Sequence, residues 1–422
     1  MIPLQRHVAP SGAPIRGVDL LRWAGRLLAA SDAGERLHRS LNERLGAGHC
    51  FMTGTGRAGM TILLKALRRL APASRDEVLV PSYTCYSVAA SAVKAGLKVR
   101  IVDINPGTLD YAPADLAAAD FSRVLALVAT NLYGLPSNLP FLSTLARERG
   151  VYLIDDAAQA MGASIGGRMS GTWGDAGLFS FDKGKNVTAI DGGVVFTRSD
   201  EVAAALRLEM AGIDAPAMKD TALNLLKVFG YALMLRPHLY GLAARVPQLG
   251  LGRTIFDTGF PLTTLPASLT ALGATMMQRL PEFTAARFAN AAALSDALGF
   301  VPGVRIIRPL PRAWPVYLRL PVLLESPLQR DRAIAALNAA GIGATGSYPA
   351  SLVDVPELRS SLADQPVAAP GGRRVAGTIV TLPTHPYVLA ADIARAGSVL
   401  REVHANGDRH SVPVPVTPAA IR

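Results

Sequence analysis

The sequence predicts an α/β fold with a mostly parallel central sheet and a smaller α+β unit after it. Two observations carry this expectation. Between Glu77 and Thr197, short apolar runs alternate with helix-patterned segments, the rhythm of βαβ units. From about residue 299 the rhythm changes to short strand-like runs separated by two helical stretches. The apolar runs of the first half end in polar residues, at the edge where open α/β sheets bind ligands.

The elements follow in order. Residues 1–16 are punctuated by Pro and Gly and read as extended. Residues 17–47 carry leucines at helical spacing and read as two arm helices ending at Gly46, so 1–50 form an N-terminal arm. The turn from Met52 to Met60 is Gly-rich and opens a helix through Leu67. Free N–H groups and the helix dipole make such a start an anion site. Strands are expected at 77–81, 99–103, 124–130, 151–154 and 194–197. Helices are expected from Ser82 to Ala95, stopped by Gly96, and over 138–149 and 198–212.

Composition then shifts. Ala222 to Val246 has only Lys227, Arg236 and Arg245 charged, and eight uncharged residues separate Lys227 from Arg236. That run falls short of the roughly 20 residues a membrane span needs, and Pro237 interrupts it. Two readings stand. One is a hairpin lying on a membrane or near a lipid-linked substrate, giving peripheral membrane contact through 222–246. The other is a helix pair covering a dimer interface or an active-site mouth. A Gly-rich linker, 249–253, leads to a long helix over 267–298, kinked at Pro281. Strands at 304–307, 316–322 and 378–382 and helices at 328–340 and 391–403 complete the smaller unit. The expected boundaries are 51–265 for the large domain, with an apolar helical insertion at 213–252, then 266–405 for the linking helix and small domain, and 406–422 as a tail.

The chain has 422 residues, half of them apolar, enough for a large core. Its net charge is +11. No nucleic-acid motif accompanies that charge and aromatic content is 6%, so nucleic acid is not an expected partner. A basic face near an anionic substrate is the expectation instead. Cys50 and Cys85 are the only cysteines, which excludes a disulfide framework and fits a reducing compartment. No Cys/His cluster has metal-ligand spacing. Residues 1–30 lack the apolar core of a signal peptide, so the expected location is cytoplasmic, with the inner face of the membrane as the variant the 222–246 hairpin suggests.

The chemistry concentrates between Val151 and Thr197. Asp155 and Asp156 end one strand, and Lys185 precedes another. Buried carboxylates need partners. A carboxylate and an amine delivered to one sheet edge suit pyridoxal 5'-phosphate, whose aldehyde takes a lysine and whose ring nitrogen takes an anion. Taken singly, the same residues also read as a surface lysine and a helix cap.

Four pieces in order, Asp155-Asp156-Ala157-Ala158-Gln159, Gly174-Asp175, Ser180-Phe181 with Lys185, and Gly192-Gly193, resemble the DegT/DnrJ/EryC1/StrS family of PLP-dependent sugar aminotransferases. The resemblance implies a fold-type-I, aspartate-aminotransferase-like transferase working as a homodimer. It makes Lys185 the catalytic lysine and Asp156 the partner of the ring nitrogen, with Gln159 against the ring or its phenolic oxygen. It assigns the phosphate to Ser180 and the backbone of Gly56, Arg57 and Ala58. Residues 82–84 match a family segment that is followed by a stacking aromatic. Here Cys85 stands there, leaving Tyr83 or Tyr86 to stack. Arg57 replaces a small residue, its side chain directed to the phosphate or a substrate carboxylate, or else to solvent. Asn131 replaces a histidine. The family's Asn-x-Arg loop, which reaches the partner subunit, is replaced by Phe260-Pro261-Leu262-Thr263-Thr264. Gln278, Arg279 and Arg287 match a family helix, and His385 reads as structural. The expected reaction is ping-pong transfer of an amino group from L-glutamate to a nucleotide-linked keto sugar, for polysaccharide or glycoconjugate synthesis. A family branch of dehydratases has histidine in place of the lysine. Two further readings are elimination or decarboxylation on a non-sugar substrate, and a non-catalytic partner in envelope polysaccharide assembly.

Overall fold

Seven strands form the central sheet, in the order β1-β9-β8-β5-β4-β2-β3, in a computed structural model that describes residues 6–28, 33–46, 48–214, 218–243, 254–364 and 368–408. In chain order the arm helices are α1 (Gly17–Leu28) and α2 (Ala33–Leu45). They are followed by β1 (His49–Thr53), α3 (Gly56–Leu70), β2 (Glu77–Pro81), α4 (Tyr86–Lys94) and β3 (Lys98–Val102). Then come α5 (Pro113–Ala118), β4 (Val124–Thr130), α6 (Leu139–Arg149) and β5 (Tyr152–Asp156). Two short strands, β6 (Ser164–Ile165) and β7 (Arg168–Met169), precede β8 (Ala176–Ser180) and β9 (Gly193–Thr197).

Strands β2, β3, β4, β5 and β8 pair in parallel, while β9 runs antiparallel to both β8 and β1. The sheet is therefore mostly parallel, as the alternation of runs implies. Strand β1 was not expected. It is five residues long and mostly half-buried, and its partner residues lie 140 to 148 positions away. No local pattern announces such an edge strand.

Helix α7 (Asp200–Ala211) is followed by α8 (Met218–Met234) and α9 (Pro237–Ala243), separated where Pro237 stands. The end of the apolar stretch at 244–246 and the 249–253 linker lie outside the described residues. The single long helix expected over 267–298 is two helices, α10 (Ala267–Met277) and α11 (Leu280–Leu298). Pro281 lies in the first turn of α11 and has no N–H for the carbonyl four residues back, so the ladder stops instead of kinking.

The remaining elements are β10 (Arg305–Ile306), β11 (Ala313–Trp314), β12 (Arg319–Leu323), α12 (Pro327–Ala339), α13 (Pro370–Thr378), β13 (Ile379–Pro383) and α14 (Ala390–Asp408). Strands β10, β12 and β13 form an antiparallel sheet, and β11, β6 and β7 a smaller one. The strand expected from Val316 starts only at Arg319. Val316 N donates to Gly134 O at 3.0 Å, and Tyr317 has φ +45, so residues 316–318 turn over Gly134. A Cβ on Gly134 would lie 2.6 Å from a Val316 methyl.

Chain order does not group the arm with one unit. Val8 is buried in the core formed by Leu294, Leu320, Leu337 and Val380, and Arg6 pairs with Asp392 at 3.0 Å. Helix α14 runs to Asp408, past the expected start of the tail; residues 409–422 lie outside the described ones. No helix among the described residues is long and apolar enough to cross a membrane.

Candidate active site

The carboxyl ends of β5 and β8 and the start of α3 enclose a cavity of about 450 Å³. Gly56, Arg57, Cys85, Asp156, Ser180 and Lys185 all line it. Residues up to 129 positions apart in the chain thus converge, because a parallel sheet delivers every strand end to one edge.

Helix α3 begins at a built cap. Thr55 has extended backbone, and its Oγ1 accepts from Ala58 N at 3.1 Å. The Ala58 N–H expected at an anion is therefore taken by the cap, leaving the Gly56–Arg57 turn as the wall that faces the cavity. A Cβ on Gly56 would lie 3.2 Å from Ser180 Cβ, so the helix start and the Ser180 side chain meet at contact distance. A Cβ on Gly193 would lie 2.7 Å from Gly56 Cα. Glycine at 193 is what lets β9 approach the helix this closely.

Alternation along β5 sends the two aspartates to opposite sides. Asp155 is buried and accepts from Asn131 Nδ2 at 2.9 Å, Gly171 N at 2.5 Å and Trp173 N at 3.1 Å. Burial pushes its pKa up to about 6, and those three donors oppose the shift. Its work is to hold the 171–173 turn. Asn131 also donates to Asp156 O at 2.9 Å and accepts from Ser137 N at 3.0 Å, so it fixes backbone rather than facing a ligand. Asp156 lines the cavity, with Oδ1 accepting from Ala158 N at 3.0 Å. Burial raises its pKa, against the Ala158 N–H and the charge of Lys185.

The lysine loop is held from four directions. Lys185 N donates to Asp182 O at 3.0 Å. Asn186 Nδ2 donates to Met161 O at 2.9 Å, and its Oδ1 accepts from Arg287 Nε at 2.8 Å. Ser11 Oγ donates to Gly184 O at 2.6 Å and the Tyr231 hydroxyl to Lys183 O at 2.8 Å. Sequence reasoning missed Ser11, Asn186 and Tyr231 as supports. They sit in segments with no shared local pattern.

Several expected residues are used differently. The Tyr86 hydroxyl is joined to the Ala350 backbone, donating to O at 3.1 Å and accepting from N at 2.9 Å. The Tyr83 hydroxyl lies 3.2 Å from that of Tyr133 in full burial. Neither tyrosine lines the 450 Å³ cavity; of the three residues only Cys85 does, its Sγ accepting from Ser87 Oγ at 2.9 Å. The Arg57 side chain, partly exposed at the cavity wall, is also engaged by protein groups. It pairs with Asp257 at 3.4 Å and lies 4.9 Å from the Phe260 ring. The Gln159 amide is engaged twice, accepting from Tyr133 N at 3.0 Å and donating to the Tyr348 hydroxyl at 2.8 Å. His385 is buried, with Nε2 2.9 Å from Ala9 O, which fits the structural role expected of it.

Gln159 belongs to a second cavity, of about 610 Å³, which shares Asp182, Lys185 and Thr254 with the first. Lys183, Lys227 and Arg319 give it a cationic lining, and Lys227, Tyr231 and Tyr240 come from α8 and α9. A small anionic organic molecule suits that lining.

The donor set of the first cavity fits pyridoxal phosphate. Ser180 and the α3 start suit a phosphate, Asp156 a protonated ring nitrogen and Lys185 an aldehyde. Among the described residues no group of three or more His, Cys, Asp or Glu is placed to hold a metal ion.

The family model for the DegT/DnrJ/EryC1/StrS aminotransferase family matches residues 24–401. A UDP-N-acetyl-3-dehydro-alpha-D-glucosamine 3-aminotransferase of Acidithiobacillus ferrooxidans is 34% identical over 214 residues, 49% of this chain and 56% of that protein. An L-glutamine:2-deoxy-scyllo-inosose aminotransferase of Streptoalloteichus tenebrarius is 34% identical over 203 residues, 48% of this chain and 47% of that protein. The chain thus spans about half the length of these curated relatives. The crystal structure of the aminotransferase TlmJ from Streptoalloteichus hindustanus superimposes with a TM-score of 0.77 at 22% identity, covering 95% of this chain and 100% of that one, so the fold is shared.

Proposed function

The chain belongs to the DegT/DnrJ/EryC1/StrS aminotransferase family, and from that premise we propose that it is a pyridoxal-phosphate-dependent aminotransferase. It moves an amino group from an amino acid, L-glutamate, to a keto sugar carried on a nucleotide. The observation that carries this reading is the meeting of Lys185 and Asp156 on one cavity, opposite Gly56 and Ser180. The relatives named for amination of keto sugars and a keto cyclitol support the acceptor class.

Pyridoxal phosphate, when bound, supplies an aldehyde for the amine and a ring that takes up electrons released at the substrate carbon. Lys185 would hold the aldehyde of that group and, when free, would be placed to take the proton from the substrate α-carbon as general base. Asp156 holds a proton at the ring nitrogen. Ser180 and the start of α3 anchor the phosphate. The cationic second cavity, which shares Lys185, holds the acceptor's phosphates. 2-Oxoglutarate, whose keto oxygen comes from water, leaves at the end of the first half and its amino group stays behind. In the second half the same lysine would deliver a proton to the former carbonyl carbon of the acceptor as that carbon takes the amino group and its oxygen leaves as water. The protein acts as a cytoplasmic homodimer, a state light scattering checks.

The test is to incubate the protein with glutamate and assay 2-oxoglutarate, then add nucleotide keto sugars one at a time and read the aminated product by mass spectrometry. Lys185→Ala serves as the control. Formation of 2-oxoglutarate by the wild type alone, completed by one sugar, is expected. Equal turnover in Lys185→Ala, or none in the cofactor-loaded wild type with any amino donor, overturns the reading.

A further inference from the structure

Helix α8 has two working faces. Lys227, Gly230, Tyr231 and Met234 line the second cavity. On the outside, Leu223, Leu226, Phe229 and Leu233 recur every three or four residues and are exposed, with Leu226 at 69% and Leu233 at 50%. Leu242 of α9 is also 50% exposed. Trp23 lies 6.0 Å from Phe229, which sets α1 beside α8, and α1 adds exposed Val18 and Leu21. Scattered exposed leucines need no explanation; an apolar row of this length on adjacent helices does.

Cations outnumber acids on and between these helices, Arg22, Arg26, Lys219, Lys227 and Arg236 against Asp19 and Asp220. Arg22, Lys227 and Arg236 are exposed. Among the described side chains of α1, α8 and α9 the sole acid is Asp19, which is 1% exposed and paired with Arg279 at 2.6 Å. Arg26 has its pKa lowered by burial and then by Arg36 and Arg22, which marks the same crowding of cations. A second copy docked by two-fold symmetry would set these cations against their own likes. An anionic surface complements them. No described helix can span a bilayer, so the row suits a helix pair lying in the headgroup layer.

We propose that α8 and α9 seat the protein on a bilayer rich in anionic lipid, with Leu223, Leu226, Leu233 and Leu242 inserted and Lys227 and Arg236 at the headgroups. Lys227 stands on both the docking face and the second cavity, so docking brings that cavity to the membrane surface. The test does not depend on the transamination reading, since it measures binding to lipid.

The full chain is sedimented with vesicles of phosphatidylcholine alone and of phosphatidylcholine with phosphatidylglycerol, at low and high salt. Leu226→Glu/Leu233→Glu is run beside it, with thermal melting and light scattering as controls. Co-sedimentation with the anionic vesicles only, weakened by salt, is expected. The double variant should keep its melt and oligomeric state while vesicle partition falls by at least about tenfold. A wild type that stays in the supernatant overturns the proposal. So does a double variant that binds as well as wild type. A double variant that drops to a smaller oligomer gives the face to a second copy and overturns it too. Should the double variant melt early, Leu242→Glu is the second probe, with the same outcomes.

Discussion

Arg287 Nε donates to Asn186 Oδ1 at 2.8 Å, one residue beyond Lys185. The guanidinium is fully buried and also donates to Gly12 O at 2.7 Å, Leu318 O at 2.9 Å and Thr384 Oγ1 at 3.3 Å. None of these four acceptors is a carboxylate. Burial lowers its pKa to about 9, so it remains charged at neutral pH. A buried cation is tolerated because neutral oxygens replace its water, and the same bonds fasten the lysine loop to the N-terminal segment and the small sheet.

Asn186→Ala removes one of those oxygens and is expected to lower stability by about 2–3 kcal/mol. Urea unfolding checks this. The loosened loop should lower kcat, since Lys185 moves, and should raise KM for the acceptor to a lesser degree, since Lys183 and Lys185 are only part of the second cavity's lining. Arg287→Lys keeps the charge but loses the planar fork, and should destabilise at least as much.

Gly193→Ala places a Cβ 2.7 Å from Gly56 Cα and from Thr55 O. Backbone must shift on one side, so a loss of about 1–3 kcal/mol is expected. The shift separates the α3 start from Ser180, so affinity for pyridoxal phosphate should fall as well. Titration calorimetry on the apo protein reads that loss directly.

Cys85→Phe puts a ring where the wall of the first cavity now offers a thiol. Aromatic stacking adds about 0.5–1.5 kcal/mol. Retention of pyridoxal phosphate on dialysis should lengthen by roughly two- to tenfold. Faster loss would mean that the ring blocks the cavity instead of walling it.

His385 should make the fold acid-labile. Burial, and then the charge of Arg287, push its pKa down from 6.5 to about 3. The hydrogen-bond network assigns the neutral ring, with Nε2–H donating to Ala9 O and Nδ1 accepting from Tyr387 N. The unfolded chain therefore binds the proton more readily between pH 6.5 and about 3. Its contribution to stability is complete above that window and is lost as pH falls through it, on the order of 5 kcal/mol. Melting temperature measured against pH should fall less steeply in His385→Gln than in wild type.

Much of this was legible in the residues themselves. The strands that end at Pro81, Thr130 and Asp156 announce themselves by apolar runs with polar ends. The lysine, the aspartate and the Gly-rich helix start were readable as one chemistry because their types and spacing are local facts. The break before α11 follows from Pro281 once its missing N–H is weighed, although spacing alone suggests a kink.

Sequence by itself determined the α/β alternation and the family, and it singled out the side chains proposed to carry the chemistry, since periodicity and short-range spacing are written along the chain. Tertiary structure alone decided that Arg57 turns to Asp257, that Tyr83 and Tyr86 are held away from the cavity, and that the Gln159 amide serves Tyr348. It also decided that Ser11, Tyr231 and Arg287 grip the lysine loop. Those outcomes depend on which of several distant partners reaches a polar atom during packing. That competition is settled by burial and hydrogen-bond geometry between segments as much as 275 residues apart, where no local pattern records it.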